Sequence, residues 1–295
     1  MSKEHKAGFV NIIGNPNVGK STMMNAMVGE KLSIVTAKAQ TTRHRIMGIV
    51  NTEDWQIVYS DTPGILKPNY RLQENMLGYV DAAIGDADVI LYVTDTVEKA
   101  DKNVTYIEKL KKVTCPVVLV INKIDVSDQN RVMELMQWWQ NEIPAATVIP
   151  ISAKEKFNLQ SVLEAVKANL PEAPQWYDKD VFTDRSLRFF AAEILREKIF
   201  ENYSEEIPYS CQVEIEAFKE GAERYEISAV IYVMRDSQKG IIIGKGGSAL
   251  KRTATAARME MEDFFQKKVF LTTFVKVDTD WRDKKMELRK FGYEE

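Results

Sequence analysis

Gly14-Asn15-Pro16-Asn17-Val18-Gly19-Lys20-Ser21 matches the phosphate-binding pattern G-x-x-x-x-G-K-[ST]. An apolar run over 9–13 precedes it and reads as a buried strand, and a helical pattern over 21–27 follows it. That strand–loop–helix context is what gives the motif its meaning. Glycines let backbone wrap closely round phosphate oxygens. Loop N–H groups and the helix N-terminus then face the anion. Lys20 is expected to reach the outer phosphates and the Ser21 hydroxyl to ligate Mg²⁺, with Thr22 grouped beside them.

Working outward, apolar strands are expected at 89–94, 117–121 and 148–151, with helical patterns at 71–84, 103–112, 130–141 and 158–169. Segments 45–50 and 55–60 flank four polar residues, Asn51 to Asp54, and read as a hairpin. Strand–helix alternation with β-branched strands implies a mostly parallel sheet with helices on both faces. Ligands of such sheets sit at the carboxyl ends of the strands, so the loops leaving the strands carry the information.

Three of those loops do. Asp61-Thr62-Pro63-Gly64 follows the second hairpin strand, where an aspartate can hold Mg²⁺ and the Gly64 N–H can sense a γ-phosphate. Taken alone it would be an ordinary turn. Asn122-Lys123-Ile124-Asp125 follows the strand at 117–121. A carboxylate there can accept from guanine N1–H and the exocyclic amine, donors that adenine lacks. The competing reading makes it a polar loop whose Asx side chain caps the next helix. Ser152-Ala153-Lys154 ends the following strand, where a backbone N–H can bond guanine O6.

In this order the four motifs resemble those of the translation-factor-related GTPases, over about the first 170 residues. Gln40-Thr41-Thr42-Arg43-His44 resembles the switch of the Era family of bacterial ribosome-assembly GTPases. The resemblance implies that a threonine there closes onto Mg²⁺ and the γ-phosphate; of the two, Thr42, just before Arg43, is chosen over Thr41. The metal ligands are thus expected to be Ser21, Thr42 and Asp61, and the catalytic groups Lys20, Thr42, Gly64 and Asn17. Asn17 sits where related GTPases bind a potassium ion. Where Ras-type GTPases place a water-orienting glutamine, this chain has Ile65, so intrinsic hydrolysis is expected to be slow or to use another device.

The stretch 171–180, with two prolines and no periodicity, reads as a boundary. Beyond it a helix is expected over 185–203, and strands over 209–218 and 225–234, with Tyr209, Cys211, Val213, Ile215 and Ala217 on one buried face. A helix from about 239 leads to Gly244-Lys245-Gly246-Gly247. A helix at 248–265, a strand at 269–277 and a closing helix at 283–291 follow. The order resembles a type II KH domain, whose G-x-x-G loop clamps about four nucleotides of single-stranded RNA. RNA contacts are expected from Ile243, Gly244, Lys245, Gly246, Gly247 and Lys251, with 241–243 as an apolar floor for bases. From 235 to 268 eight Lys/Arg stand against four acids, a local patch in a chain of net charge −3.

The expected organisation is a P-loop GTPase domain over 1–174, a linker over 175–182 and a KH domain over 183–295. The resemblance implies GTP hydrolysis with GTP/GDP, Mg²⁺ and K⁺, a monomer, and binding to the 3′ end of 16S rRNA in small ribosomal subunit biogenesis. It also implies a cytoplasmic protein with peripheral contact at the inner membrane. Two other readings compete: an RNA-binding protein whose nucleotide domain only binds GTP/GDP, and an adenine-nucleotide enzyme, which Asn122 and Asp125 oppose. Composition excludes other classes. No apolar run reaches the ~18 residues of a membrane span. The charged opening, Met1 to Lys6, is not that of a signal peptide. Histidines at 5 and 44 alone, and two distant cysteines, Cys115 and Cys211, do not form a histidine-ligated metal site or a disulfide framework.

Overall fold

The computed structural model describes residues 5–36 and 38–293. The opening residues 1–4, Ala37 and the last two residues lie outside them. The chain divides into two compact units.

The first unit comprises Met1–Ser33, Thr42–Pro68 and Met76–Asp184. Its elements are β1 (Lys6–Gly14), α1 (Lys20–Val28), β2 (Ile46–Asn51), β3 (Trp55–Asp61), α2 (Arg71–Gly85), β4 (Val89–Asp95), α3 (Val104–Leu110), β5 (Val117–Asn122), α4 (Gln129–Glu142), β6 (Thr147–Pro150) and α5 (Leu159–Asn169). The first turn of α2 is counted with the second unit. The sheet order is β2-β3-β1-β4-β5-β6, parallel throughout except for the β2–β3 hairpin. Every residue of β4 and β5 is buried, as continuous apolar runs covered on both faces require. On one face Ile13, Tyr92 and Leu119 pack with Val80 and Trp139 from the helices. β1, β3, β5 and the strand end after β6 therefore deliver their loops to one edge of the sheet.

Residues 175–184 are tied to this unit. Gln56 Oε1 accepts from the Trp176 and Tyr177 amides at 2.7 and 3.1 Å, and Ile49 N–H donates to the Phe182 carbonyl at 2.9 Å. Trp176 also packs against Phe9, ring centres 5.7 Å apart.

The second unit comprises Ile34–Thr41, Asn69–Asn75 and Arg185–Glu295. Its elements are α6 (Leu187–Asn202), α7 (Ile207–Ser210), β7 (Gln212–Glu220), β8 (Arg224–Val233), α8 (Asp236–Ile243), α9 (Ser248–Phe265), β9 (Lys268–Val277) and α10 (Lys285–Lys290). β7 and β8 form an antiparallel hairpin, and β9 lies parallel to β8. The inward faces of the strands pack on α6 and α9 through Leu195, Ile199, Ile231, Ala257 and Met261.

The structure corrects three expectations here. Tyr209 and Ser210 belong to α7, because Pro208 suits the first turn of a helix. A bulge between Ile215 and Ala217 shifts the register, so Ala217 pairs with Ser228 and Phe218, not Ala217, packs on the core. The closing segment is a 3₁₀ turn, Trp281–Asp283, followed by the shorter α10.

Candidate functional site

The loop at 14–19 has the backbone its sequence demands. Gly14, Asn17 and Gly19 take positive φ values of 151°, 65° and 94°. A Cβ on Gly14 would lie 2.1 Å from the Val93 carbonyl oxygen, so only glycine fits. Lys20 opens α1 and turns its ammonium back into the loop, donating to the Gly14 and Asn15 carbonyls at 3.1 and 2.8 Å. Burial lowers its pKa to about 8, against the opposing pull of Asp61 and Glu98. A cation held over the loop with its desolvation only partly compensated is poised to gain from an anion.

Next to it, three oxygen groups converge. Ser21 Oγ donates to Asp61 Oδ2 at 2.6 Å and lies 2.9 Å from Thr42 Oγ1, which stands 3.3 Å from the same carboxylate oxygen. Asp61 is fully buried, and its Oδ1 has no hydrogen-bond partner. Burial raises its pKa, although Lys20 pulls it down. One buried carboxylate and two hydroxyls, with a spare carboxylate oxygen, suit a hard divalent cation that shares its remaining ligands with phosphate and water. Thr62 donates to the Ile12 carbonyl at 2.7 Å, and the position of Gly64 is set by crowding: a Cβ there would meet Pro16 at 2.7 Å. Ile65 donates its N–H to Gly14 at 3.0 Å and buries its side chain in the core, so nothing at this position orients a water.

The other two motifs meet through Asn122. Its amide donates to the Val18 carbonyl at 2.8 Å, and its Oδ1 accepts from the Ala153 N–H at 2.9 Å. The side chain thus fastens the phosphate loop to the loop after β6. Ser152 Oγ donates to Asp125 at 2.6 Å, while the cap of α4 is Asp128, which accepts from the Arg131 N–H at 2.9 Å. Asp125 is therefore not the helix cap of the competing reading. Lys123, at φ 62°, pairs with Asp95 at 2.6 Å, and Lys154 is exposed beside Glu155.

Sequence reasoning missed Glu98. It accepts from Asn15 Nδ2 at 2.7 Å and from Thr94 Oγ1 at 2.9 Å, while Asn103 donates to Asn15 from the other side. Nothing in its spacing announces this, because the contact with Asn15 joins residues 83 positions apart.

In the second unit, α8 ends at Gly244, φ 70°, where a Cβ would press on Ala249 at 2.6 Å. Gly246 and Gly247 follow at φ 58° and 78°, with open space where a Cβ would stand. Lys245 and Lys251 are exposed. Of the expected floor, Ile241 is exposed and Ile243 half-buried, but Ile242 is wholly buried in the core and faces no ligand.

Known proteins carry the same two parts. Residues 9–123 match the family described as 50S ribosome-binding GTPase, and 206–282 match the KH domain. GTPase Era of Clostridium tetani is 44% identical over 291 residues, covering 98% of this chain and 99% of its own. The chloroplastic GTPase ERA1 of Zea mays is 44% identical over 298 residues, 99% of this chain and 72% of its own. A crystal structure of an Aquifex aeolicus Era variant bound to GDP·AlF₄⁻ superposes with a TM-score of 0.94 at 38% identity, covering 98% of this chain and 99% of that one. A structure of Era with MgGDPNP and nucleotides 1506–1542 of 16S ribosomal RNA gives the same values. With 44% identity across essentially the whole of both chains, the chain belongs to the Era family of GTPases.

Proposed function

We propose that this GTPase is a monomeric, nucleotide-controlled binder of single-stranded RNA at the 3′ end of 16S rRNA, acting in small ribosomal subunit biogenesis. The observation that carries the reading is the pairing, in one chain, of a guanine-type cradle with an exposed Lys245 on a glycine turn between two helices. The Era complex with a 16S rRNA fragment supports it. The domains are taken as 1–174 for nucleotide and 183–295 for RNA, joined through 175–182.

Within that reading, Lys20 and the amides of 14–21 hold the β- and γ-phosphates of GTP. Ser21, Thr42 and Asp61 hold Mg²⁺, which neutralises charge on the phosphates. Asp125 takes the guanine N1–H and amine, a backbone N–H of the loop 152–154 bonds O6, and the Gly64 N–H senses the γ-phosphate. With Ile65 in the core, Asn17 is the residue to which we assign a K⁺ ion beside the phosphates. In the second unit, Gly244 to Gly247 admit the RNA backbone, Lys245 and Lys251 meet phosphate, and Ile241 with Ile243 underlies the bases. No helix among the described residues is long and apolar enough to cross a membrane.

The test is Gly246→Asp. The left-handed backbone there tolerates aspartate and the Cβ has open space, so the fold should survive while a negative charge meets the RNA. Affinity for an oligonucleotide of the 16S rRNA 3′ end is expected to fall about tenfold or more, with GDP affinity unchanged. RNA affinity equal to wild type would remove the glycine turn from the site.

A further inference from the structure

The segment Ile34–Thr41 is counted with the second unit, although Gln40 and Thr41 at its end open the nucleotide switch expected from the sequence. Its described residues are held at three points along α6. The Val35 N–H donates to Glu197 Oε1 at 3.2 Å. The Lys38 ammonium donates to the carbonyls of Phe200 and Tyr203, at the C-terminal end of α6, where carbonyls lack helical partners and the helix dipole favours a cation. The Thr41 carbonyl accepts from Arg196 Nη2 at 2.5 Å. Gln40, in left-handed conformation at φ 60°, is braced on its other side by Gln73, whose Nε2 donates to Gln40 Oε1 at 2.9 Å.

Arg196 is the unusual member. It is 1% exposed, in a helix that buries Glu193 and Glu197 with it among apolar side chains. Its Nε and Nη2 donate to the two oxygens of Glu193, one turn earlier, at 2.8 and 2.5 Å. That bidentate pair fixes the guanidinium plane and leaves an Nη2 hydrogen aimed at Thr41. Burying a charged pair is a poor route to stability, since well-packed apolar groups serve as well or better. Its presence here is better accounted for by what the guanidinium holds. It holds the carbonyl of the residue that precedes Thr42, and Thr42 Oγ1 stands beside Ser21 and Asp61. Turning the Thr41–Thr42 peptide to free that carbonyl would leave a buried cationic donor unpaired.

We propose that Arg196 is a positioning residue for GTP hydrolysis: by fixing the Thr41 carbonyl it sets the place of Thr42, so that the RNA-binding unit supplies part of the order of the nucleotide switch. This rests on the reading that Thr42 closes onto Mg²⁺ and the γ-phosphate. Glu193 orients the guanidinium, and Lys38 seats the same segment on the end of α6.

The experiment compares wild type with Arg196→Met, Arg196→Lys, Glu193→Gln and Thr42→Ala in the full chain. kcat and KM for GTP are read together with the Mg²⁺ concentration for half-maximal turnover, GDP and GDPNP affinities, and RNA affinity. Losing one charged hydrogen bond that holds a catalytic group in place lowers kcat by about ten- to a hundredfold. Arg196→Met is expected to show that loss, a raised Mg²⁺ requirement and weaker GDPNP binding, with GDP and RNA affinities unchanged. Arg196→Lys, which keeps a donor but not the fork, should recover part of kcat, and Glu193→Gln should fall between it and wild type. Should Arg196→Met not fold, the lysine and glutamine variants decide alone. Wild-type kcat and Mg²⁺ dependence in those variants, or a parallel fall of kcat, GDP and RNA affinities, would overturn the proposal. Thr42→Ala separates the premise: normal turnover in it would mean that the Thr42 reading itself is wrong.

Discussion

Replacing Asn122 by alanine removes a side chain that bonds both the phosphate loop and the loop after β6. The Val18 carbonyl loses its donor at 2.8 Å and the Ala153 N–H its acceptor at 2.9 Å. Both residues are buried, at 1% and 3% exposure, so water does not simply replace the lost partner. An unsatisfied buried group costs about 1–3 kcal/mol, so two of them amount to roughly 2–4 kcal/mol once some relaxation is allowed. For a unit of this size that is a fall in Tm of roughly 5–15 °C. Nucleotide binding should suffer as well, because the freed loop must be reordered by the ligand. A reordering cost of about 1.4 kcal/mol or more weakens GDP tenfold or more. Thermal melts without nucleotide, and titration calorimetry with GDP, read the two effects separately. Asn122→Asp is the informative companion. It keeps an acceptor for Ala153 but turns a carboxylate oxygen on the Val18 carbonyl, so GDP affinity should fall as far as in the alanine variant. GDP affinity within about twofold of wild type in both variants, with Tm unchanged, would refute the reasoning that Asn122 fastens the loops together.

Further predictions follow from the same geometry. Asp125→Asn should shift preference from guanine to xanthine nucleotides, because the amide offers a donor where the carboxylate only accepts; unchanged GTP affinity would remove Asp125 from the base pocket. Lys20 sits at about 8 in the nucleotide-free protein and at 10.5 as an ordinary lysine, so between those values the unfolded chain binds more protons. Nucleotide-free stability should therefore rise as pH climbs from about 8 towards 10.5, and denaturant midpoints of Lys20→Met should lack that rise. GTP binding should weaken over the same range as the ammonium loses its proton. Exchanging K⁺ for Na⁺ should slow wild-type turnover and have no effect on Asn17→Ala; equal rates in the two salts for wild type would exclude the potassium assignment.

What the sequence made legible was local chemistry with a fixed spacing. The loop at 14–21 demanded glycines at positive φ and a strand and helix on either side, and β1, α1 and the φ values of Gly14 and Gly19 match that demand. The mostly parallel sheet with helices on both faces was accessible because β-branched runs alternate with helical periods. Contacts between distant segments were not accessible. Asn122 was read as part of a base-recognition motif, yet its side chain serves as a clasp. Glu98 carried no motif at all. In the second unit, alternation predicted β7 correctly only up to the bulge, since one inserted residue inverts the faces beyond it and period-two reasoning cannot see it. Ile242 looked like its neighbours Ile241 and Ile243, and only the helix phase of α8 sends it into the core. The role of Arg196 was hidden for a similar reason: an arginine in a helix reads as solvated surface until the fold buries it.

The most direct test of the central claim is the affinity for a short single strand from the 3′ end of 16S rRNA, measured at one fixed salt concentration with GDP and with GDPNP. A switch that joins the two units predicts affinities that differ by about fivefold or more, the lower end of coupling between sites. Equal affinities in the two nucleotide states would contradict it, and would mean that the GTPase and the KH domain share a chain without sharing a mechanism.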